Sequence, residues 1–189
     1  MKRWLPLIII VVILLIGFAS CSGTYNNLVS SEEAARAAWA QVENQYQRRA
    51  DLIPNLVETV KGFTAQEKEV LTEVTRLRSQ WGEARKGGDI NQRVQAAQRL
   101  DAGLGRLMVV IERYPQLRSN QNFLALQTQL EGTENRVSVE RRRFNLAVQA
   151  YNTTIRRFPS NLMAGWFGFE RMQLFEAEAG AEKAPKVKF

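Results

Sequence analysis

The sequence predicts an all-α protein: an elongated antiparallel four-helix bundle with an N-terminal signal or anchor segment and a short C-terminal tail. Three observations carry this expectation. Apolar residues recur at three- and four-residue steps through four long stretches, the spacing of one helix face. No stretch sustains the apolar–polar alternation of a half-buried strand. A dense block without charge, residues 5–19, precedes the first stripe. With 189 residues, 45% of them hydrophobic and 24% charged, the chain has material for one domain of ordinary size around a real core.

The elements follow in order. Met1-Lys2-Arg3-Trp4 is basic and leads into LPLIIIVVILLIGFA, 15 residues that as a helix span ~22 Å, short of the ~30 Å hydrocarbon core of a bilayer. A positive start followed by an apolar run of this length fits a secretory signal peptide. Phe18-Ala19-Ser20-Cys21 resembles the bacterial lipobox, in which a hydrophobic residue and two small ones precede the cysteine that takes a diacylglyceryl group; Phe18 stands where Leu is usual. Residues 1–20 thus read as a signal peptide with Cys21 lipidated, or as an uncleaved anchor with Cys21 incidental. Under both readings Lys2 and Arg3 on one side, against Arg36 alone soon after Cys21, leave the body outside the cytoplasm.

Residues 21–30 form a short polar leader, and residues 31–159 the bundle. Ser31 is a suitable N-cap, with Glu32 and Glu33 in the first turn opposing the helix dipole. Ala35, Ala38, Trp39, Val42 and Tyr46 mark one face, and Leu56, Val57, Val60 and Phe63 continue it past a kink or restart expected at Pro54. Gly62 is a helix stop, and Thr64-Ala-Gln-Glu67 has the spacing of a capping box. Val70, Leu71, Val74, Leu77 and Trp81 form the next stripe. Lys86-Gly87-Gly88-Asp89 is the clearest turn, with Asp89 placed to cap a third helix carrying Val94, Ala97, Leu100, Leu104, Leu107, Ile111 and Tyr114. Gly103 and Gly105 each cost that helix ~1 kcal/mol relative to alanine, which points to close approach by a neighbour.

The last pattern starts near Asn120 and steps through Phe123, Leu126, Leu130, Val137, Phe144, Val148, Tyr151, Ile155 and Phe158 before Pro159 ends it. Four long helices joined by short turns bury these stripes best in an antiparallel bundle. Residues 160–189 comprise an aromatic segment and a tail. Trp166, Phe167, Phe169 and Phe175 either cover the open end of the bundle or form a patch for the bilayer interface or a protein partner. Residues 175–189, FEAEAGAEKAPKVKF, lose helical periodicity and suit an extended tail or a docking peptide.

Histidine is absent and cysteine occurs once, so neither a Cys/His zinc site nor a His-assisted nucleophile can be assembled. The paired carboxylates Glu67/Glu69 and Glu131/Glu134 lack the Glu-x-x-His partner of a di-iron bundle. No glycine-rich phosphate loop surrounds Gly87-Gly88. No catalytic residue, metal or cofactor is therefore expected. The net charge of +7 falls to +5 without residues 1–20, an excess suited to an anionic membrane surface or acidic partner; nucleic acid is a poor candidate for an exported chain. Arg48-Arg49, Arg141-Arg142-Arg143 and Arg156-Arg157 read as solvated faces or as a basic patch, and Arg99, Arg106 and Arg113 line one flank of the third helix. Glu134 and Arg141 sit at seam spacing, which predicts a partly buried ion-pair network with Arg48 or Asp51 that fixes helix register.

Several blocks resemble the LemA family of bacterial envelope proteins: TYNNLV at 24–29, AWAQVENQYQRRADLIPNLVETVKGF at 38–63, residues 114–159, and NLMAGWFGF with the tail after it. Gln66 stands where relatives often carry His. The resemblance implies an elongated helical bundle attached to the membrane at its N-terminus, by a transmembrane helix in many relatives and a lipobox in others. It implies no activity. The expected role is a non-enzymatic, membrane-tethered scaffold or adaptor for envelope proteins of unknown identity. The alternative is a module that binds an anionic lipid or polymer through its arginine faces; steep loss of binding with salt would distinguish it.

Overall fold

The apolar stripes fold as helices, except for Phe63, Tyr114, Ile155 and Phe158 just beyond the helix ends. The computed structural model describes residues 4–64 and 66–175, with backbone alone at 5–7, 17 and 118. The tail after Phe175 and the first three residues lie outside the described set. Of the described residues 86% are helical and none is in a strand, as the absence of period-two alternation requires. The five α-helices are α1 (Leu5–Lys61), α2 (Lys68–Gly87), α3 (Ile90–Glu112), α4 (Gln121–Thr154) and α5 (Ser160–Phe167). A 3-10 turn, Pro115–Ser119, joins α3 to α4.

α1 is one helix of 57 residues with Pro54 inside it. Ser31 is accordingly interior and caps nothing; its Oγ donates back to the Leu28 carbonyl at 2.9 Å. Pro54 is exposed and does not end the helix, which stops at Lys61 before Gly62. The capping box expected at Thr64–Glu67 does not form either. Thr64 is buried and its Oγ1 donates to the Val60 carbonyl at 3.3 Å, while Glu67 precedes α2 without a side-chain cap bond. Asp89 does cap α3: its Oδ1 accepts from Gln92 N at 2.8 Å, and Gln92 Oε1 accepts from Asp89 N at 3.3 Å. Two orphan donors are thus satisfied reciprocally. Asn120 Oδ1 accepts from Phe123 N at 3.0 Å and starts α4 in the same way.

The helices pack as two units, one of residues up to Leu52 with Gln127–Met172, the other of Ile53–Leu126 with the described residues from Gln173 on. In the first unit, Leu28, Ala35, Trp39, Val42, Tyr46 and Ala50 of α1 are buried, as are Leu130, Val137, Phe144, Val148 and Tyr151 of α4. The Trp39 ring meets Phe144 at 5.3 Å in an edge arrangement, and Arg49 meets Glu134. Partner numbers on α4 fall as those on α1 rise, so the two segments run antiparallel. Phe158 leaves the stripe that it was expected to extend: α4 ends at Thr154, and Phe158, before a cis peptide to Pro159, is 81% exposed.

In the second unit Ile53, Leu56 and Val60 are buried, together with Leu71, Val74, Leu77 and Trp81 of α2 and the α3 stripe from Val94 to Ile111. Phe63, expected on that stripe, is 44% exposed because the helix has already ended. The two glycines of α3 have different reasons. A Cβ on Gly103 would lie 2.5 Å from Leu77 Cδ1, so the α2 side chains leave no room for one here. A Cβ on Gly105 would meet nothing within 4 Å, and no close approach explains it. Gly105→Ala is expected to stabilise by ~0.5–1 kcal/mol through helix propensity and reduced unfolded-state freedom. Gly103→Val should destabilise by ~1–3 kcal/mol through overpacking. Urea melts of the two variants check the contrast.

Candidate functional site

The N-terminal part of α1 is the single stretch among the described residues long and apolar enough to cross a membrane. Residues 8–16 and Phe18 are all at least 46% exposed, so none of the described residues covers them. Cys21 is exposed within the continuous helix. With Ser20 and Thr24 it forms one wall of an open groove of about 670 Å³, whose other wall is Pro159, Asn161, Leu162, Met163, Gly165 and Trp166. Four residues farther along α1, Tyr25 holds Phe167 at 4.8 Å and Phe169 at 6.0 Å between ring centroids.

The four aromatic residues singled out in the C-terminal segment do not form one surface. Trp166 is 87% exposed and Phe167 is exposed, whereas Phe169 is half-buried and Phe175 is buried in the second unit. Gly168, at φ 74°, supplies the left-handed residue that ends α5, and Phe169 N then donates back to the Ala164 carbonyl at 3.0 Å. The chain runs on without regular structure and is pinned by α4. Asn152 Nδ2 donates to the Met172 carbonyl at 2.9 Å, Met172 N donates to Asn152 Oδ1 at 3.1 Å, and Tyr151 Oη donates to the Glu170 carbonyl at 2.8 Å. Within the second unit, Gln173 N donates to Asn91 Oδ1 at 2.7 Å.

One ion pair and one arginine–tyrosine hydrogen bond join α1 to α4 near the residues expected to form a network. Glu134 pairs at 2.6 Å with Arg49, a buried residue, rather than with Arg48 or Asp51. Arg48 and Asp51 are exposed on another face of α1, and Asp51 accepts from Gln47 at 2.7 Å. Arg141 donates to the hydroxyl of Tyr46, and its guanidinium lies 5.4 Å from the centre of that ring. Glu134 itself is about half exposed, because the buried seam runs through Thr133 and Val137 beside it. Tyr46, fully buried on the apolar stripe of α1, also uses its hydroxyl to accept from Arg141.

Burial pushes the Tyr46 phenol up to about 12, against the opposing pull of Arg141 and Arg49. Burial likewise pushes Tyr151 up to about 12, with the Glu32 carboxylate adding to it. The folded chain keeps a phenol proton that the unfolded chain releases near pH 10. Stability is therefore whole below pH 10 and declines as pH rises towards 12. The Tyr46 contribution is about 2–3 kcal/mol when fully lost. Melting temperatures compared across this range should fall less steeply for Tyr46→Phe than for the unaltered chain.

The remaining candidates are dispersed. Arg99 and Arg106 are exposed on α3 and Arg113 just after it, and Arg113 lies 3.3 Å from Glu67, which also accepts from Tyr114 Oη at 3.1 Å. Glu131 accepts from Gln127 at 3.0 Å. Among the described residues no group of three or more His, Cys, Asp or Glu side chains could hold a metal.

The geometry defines an all-helical protein with an exposed apolar helical segment at its N-terminus. The profile of the LemA family matches residues 38–189, and the chain belongs to that family. It is 28% identical over 181 residues to magnetosome protein MamQ 2 of Paramagnetospirillum magneticum, covering 84% of this chain and 66% of the relative. It is 29% identical over 180 residues to magnetosome protein MamQ of Magnetospirillum gryphiswaldense, covering 82% and 66%. Against protein LemA of Metamycoplasma hominis the identity is 23% over 155 residues, covering 82% of this chain and 70% of the relative. The chain thus spans just under two thirds of the length of its magnetosome relatives.

Proposed function

We propose that the chain is a non-enzymatic, membrane-tethered envelope protein of the LemA type, acting as a scaffold or adaptor for other envelope or membrane proteins. The uncovered apolar start of α1, continuous with a helical body, is the observation that carries this reading. In water such a surface is costly, and burial in a bilayer removes the cost. Residues 1–20 serve as signal peptide, with Cys21 lipidated, or else as an uncleaved anchor; the body lies outside the cytoplasm in both cases. α1 to α4 are taken as the four members of the family's antiparallel bundle. The Arg49–Glu134 and Arg141–Tyr46 pairs would set the register of α1 on α4, a role better attested for buried charge than net stability. The absence of histidine and the reaction-free names of the relatives support a non-enzymatic role.

Cross-linking in intact cells followed by mass spectrometry tests the reading. Cross-links from the helical body to other envelope proteins, with an N-terminal peptide beginning at lipidated Cys21 or retaining the apolar segment, are expected. Recovery of the chain in the cytosol, cross-linked to no envelope protein, would contradict it.

A further inference from the structure

We propose that α5 is a membrane-interface element, its Leu162 and Trp166 side chains, with Phe158 just ahead of the helix, lying in the headgroup layer of the bilayer that holds the N-terminal tether, beside anionic headgroups met by Arg156 and Arg157. The inference rests on the tether proposed above and adds a second point of attachment.

Placement comes first. α5 lines the groove whose other wall is Ser20, Cys21 and Thr24. If Cys21 carries the lipid, that wall stands at the membrane surface by construction. If α1 spans the bilayer, the apolar run ends at Ala19, and residues 20–24 rise ~1.5–7.5 Å beyond it. The headgroup layer on each side of the hydrocarbon core is ~5–7 Å thick. Both tethers therefore hold α5 at the level of the interface.

The chemistry agrees with the placement. Leu162 and Trp166 are four residues apart in α5 and share a face; they are 61% and 87% exposed. Phe158, four residues before Leu162, is 81% exposed, while Ala164 turns inward and is buried. Large apolar side chains left in water on one face of a short helix are unusual in a soluble surface, and tryptophan in particular concentrates at the bilayer interface. Arg156 and Arg157 are exposed immediately before the aromatic residue, where they complement anionic headgroups.

Reconstitution of the full chain carrying Trp4→Phe into vesicles of phosphatidylcholine and phosphatidylglycerol tests this. Trp39 and Trp81 are buried in protein, which leaves Trp166 as the tryptophan open to its surroundings. Vesicles containing brominated phosphatidylcholine should quench the Trp166 emission, and the quenched part should vanish on adding Trp166→Phe. Flotation with the vesicles reports the tether separately. A chain that floats while Trp166 is quenched by aqueous iodide and not by bromolipid overturns the inference and leaves the tether standing. So does a floating chain whose Trp166 is shielded from both quenchers, which would assign the face to a second copy. A chain that does not float overturns the tether and this inference with it.

Discussion

Phe144→Ala is expected to destabilise the chain by about 3–5 kcal/mol, the cost of emptying a fully packed aromatic site. Phe144 has no exposed surface and sets its ring at 65° to that of Trp39 across the antiparallel α1–α4 contact. About 0.5–1.5 kcal/mol of the loss belongs to that aromatic pair beyond area burial. Leu146, two residues on and 62% exposed, provides the control: Leu146→Ala should stay within about 0.5 kcal/mol. The double variant Trp39→Ala/Phe144→Ala should lose less than the sum of its parts, since both single changes remove the same contact. Denaturant melts giving Phe144→Ala and Leu146→Ala equal stability would contradict the packing described for α4.

Asn152→Ala is expected to cost about 2–4 kcal/mol, from a residue outside every apolar stripe. Its carboxamide both donates to and accepts from the backbone of Met172, and all these atoms belong to buried residues. Truncation would leave the Met172 N–H and carbonyl buried without those partners. The penalty is then desolvation of orphaned groups, larger than the ordinary net worth of two hydrogen bonds. Hydrogen exchange should report the Met172 amide losing protection in the variant. Unchanged stability together with unchanged protection there would show that the carboxamide does not hold this segment.

The contrast between these two residues explains what was legible in the sequence. Phe144 could be read because burial of apolar groups follows helical period, and period is visible in one dimension. The same rule located the α2 and α3 stripes and Trp81. Asn152 could not be read, because its partner is the backbone of a segment 20 residues away, and a backbone partner leaves no residue type to recognise. Arg49 was legible in principle. It follows Val42 and Tyr46 and precedes Ile53 at helical steps, so it lies on the buried face, but its charge suggested a solvated end of the helix. Thr133 similarly continues Leu126 and Leu130 at helical spacing, whereas counting sevens back from Val148 through Arg141 selects Glu134 instead. A buried threonine that donates to the Leu130 carbonyl 2.7 Å away needs no tertiary partner and passes for an interruption.

Helix boundaries were the weaker part for a related reason. Ser31 and Thr64 are good cap residues by type, yet each finds a carbonyl of α1 three or four residues back. Only the backbone decides between those uses of a hydroxyl. Asp89 succeeded as a cap because Gly87-Gly88 breaks the helix before it and Gln92 closes the box from the other side. At the N-terminus the sequence announced an apolar segment, and α1 carries that segment into the body without interruption.

The tether is the account's central claim, and extraction of membranes with alkaline carbonate tests it most directly. The full chain should remain with the membrane pellet, and a variant carrying Ile10→Lys and Ile13→Lys should move to the soluble fraction, since each charge costs ~2.5–3.5 kcal/mol at the centre of a membrane helix and equally disables a signal peptide. Release of the unaltered chain by carbonate, or retention of the variant in the pellet, would contradict the account.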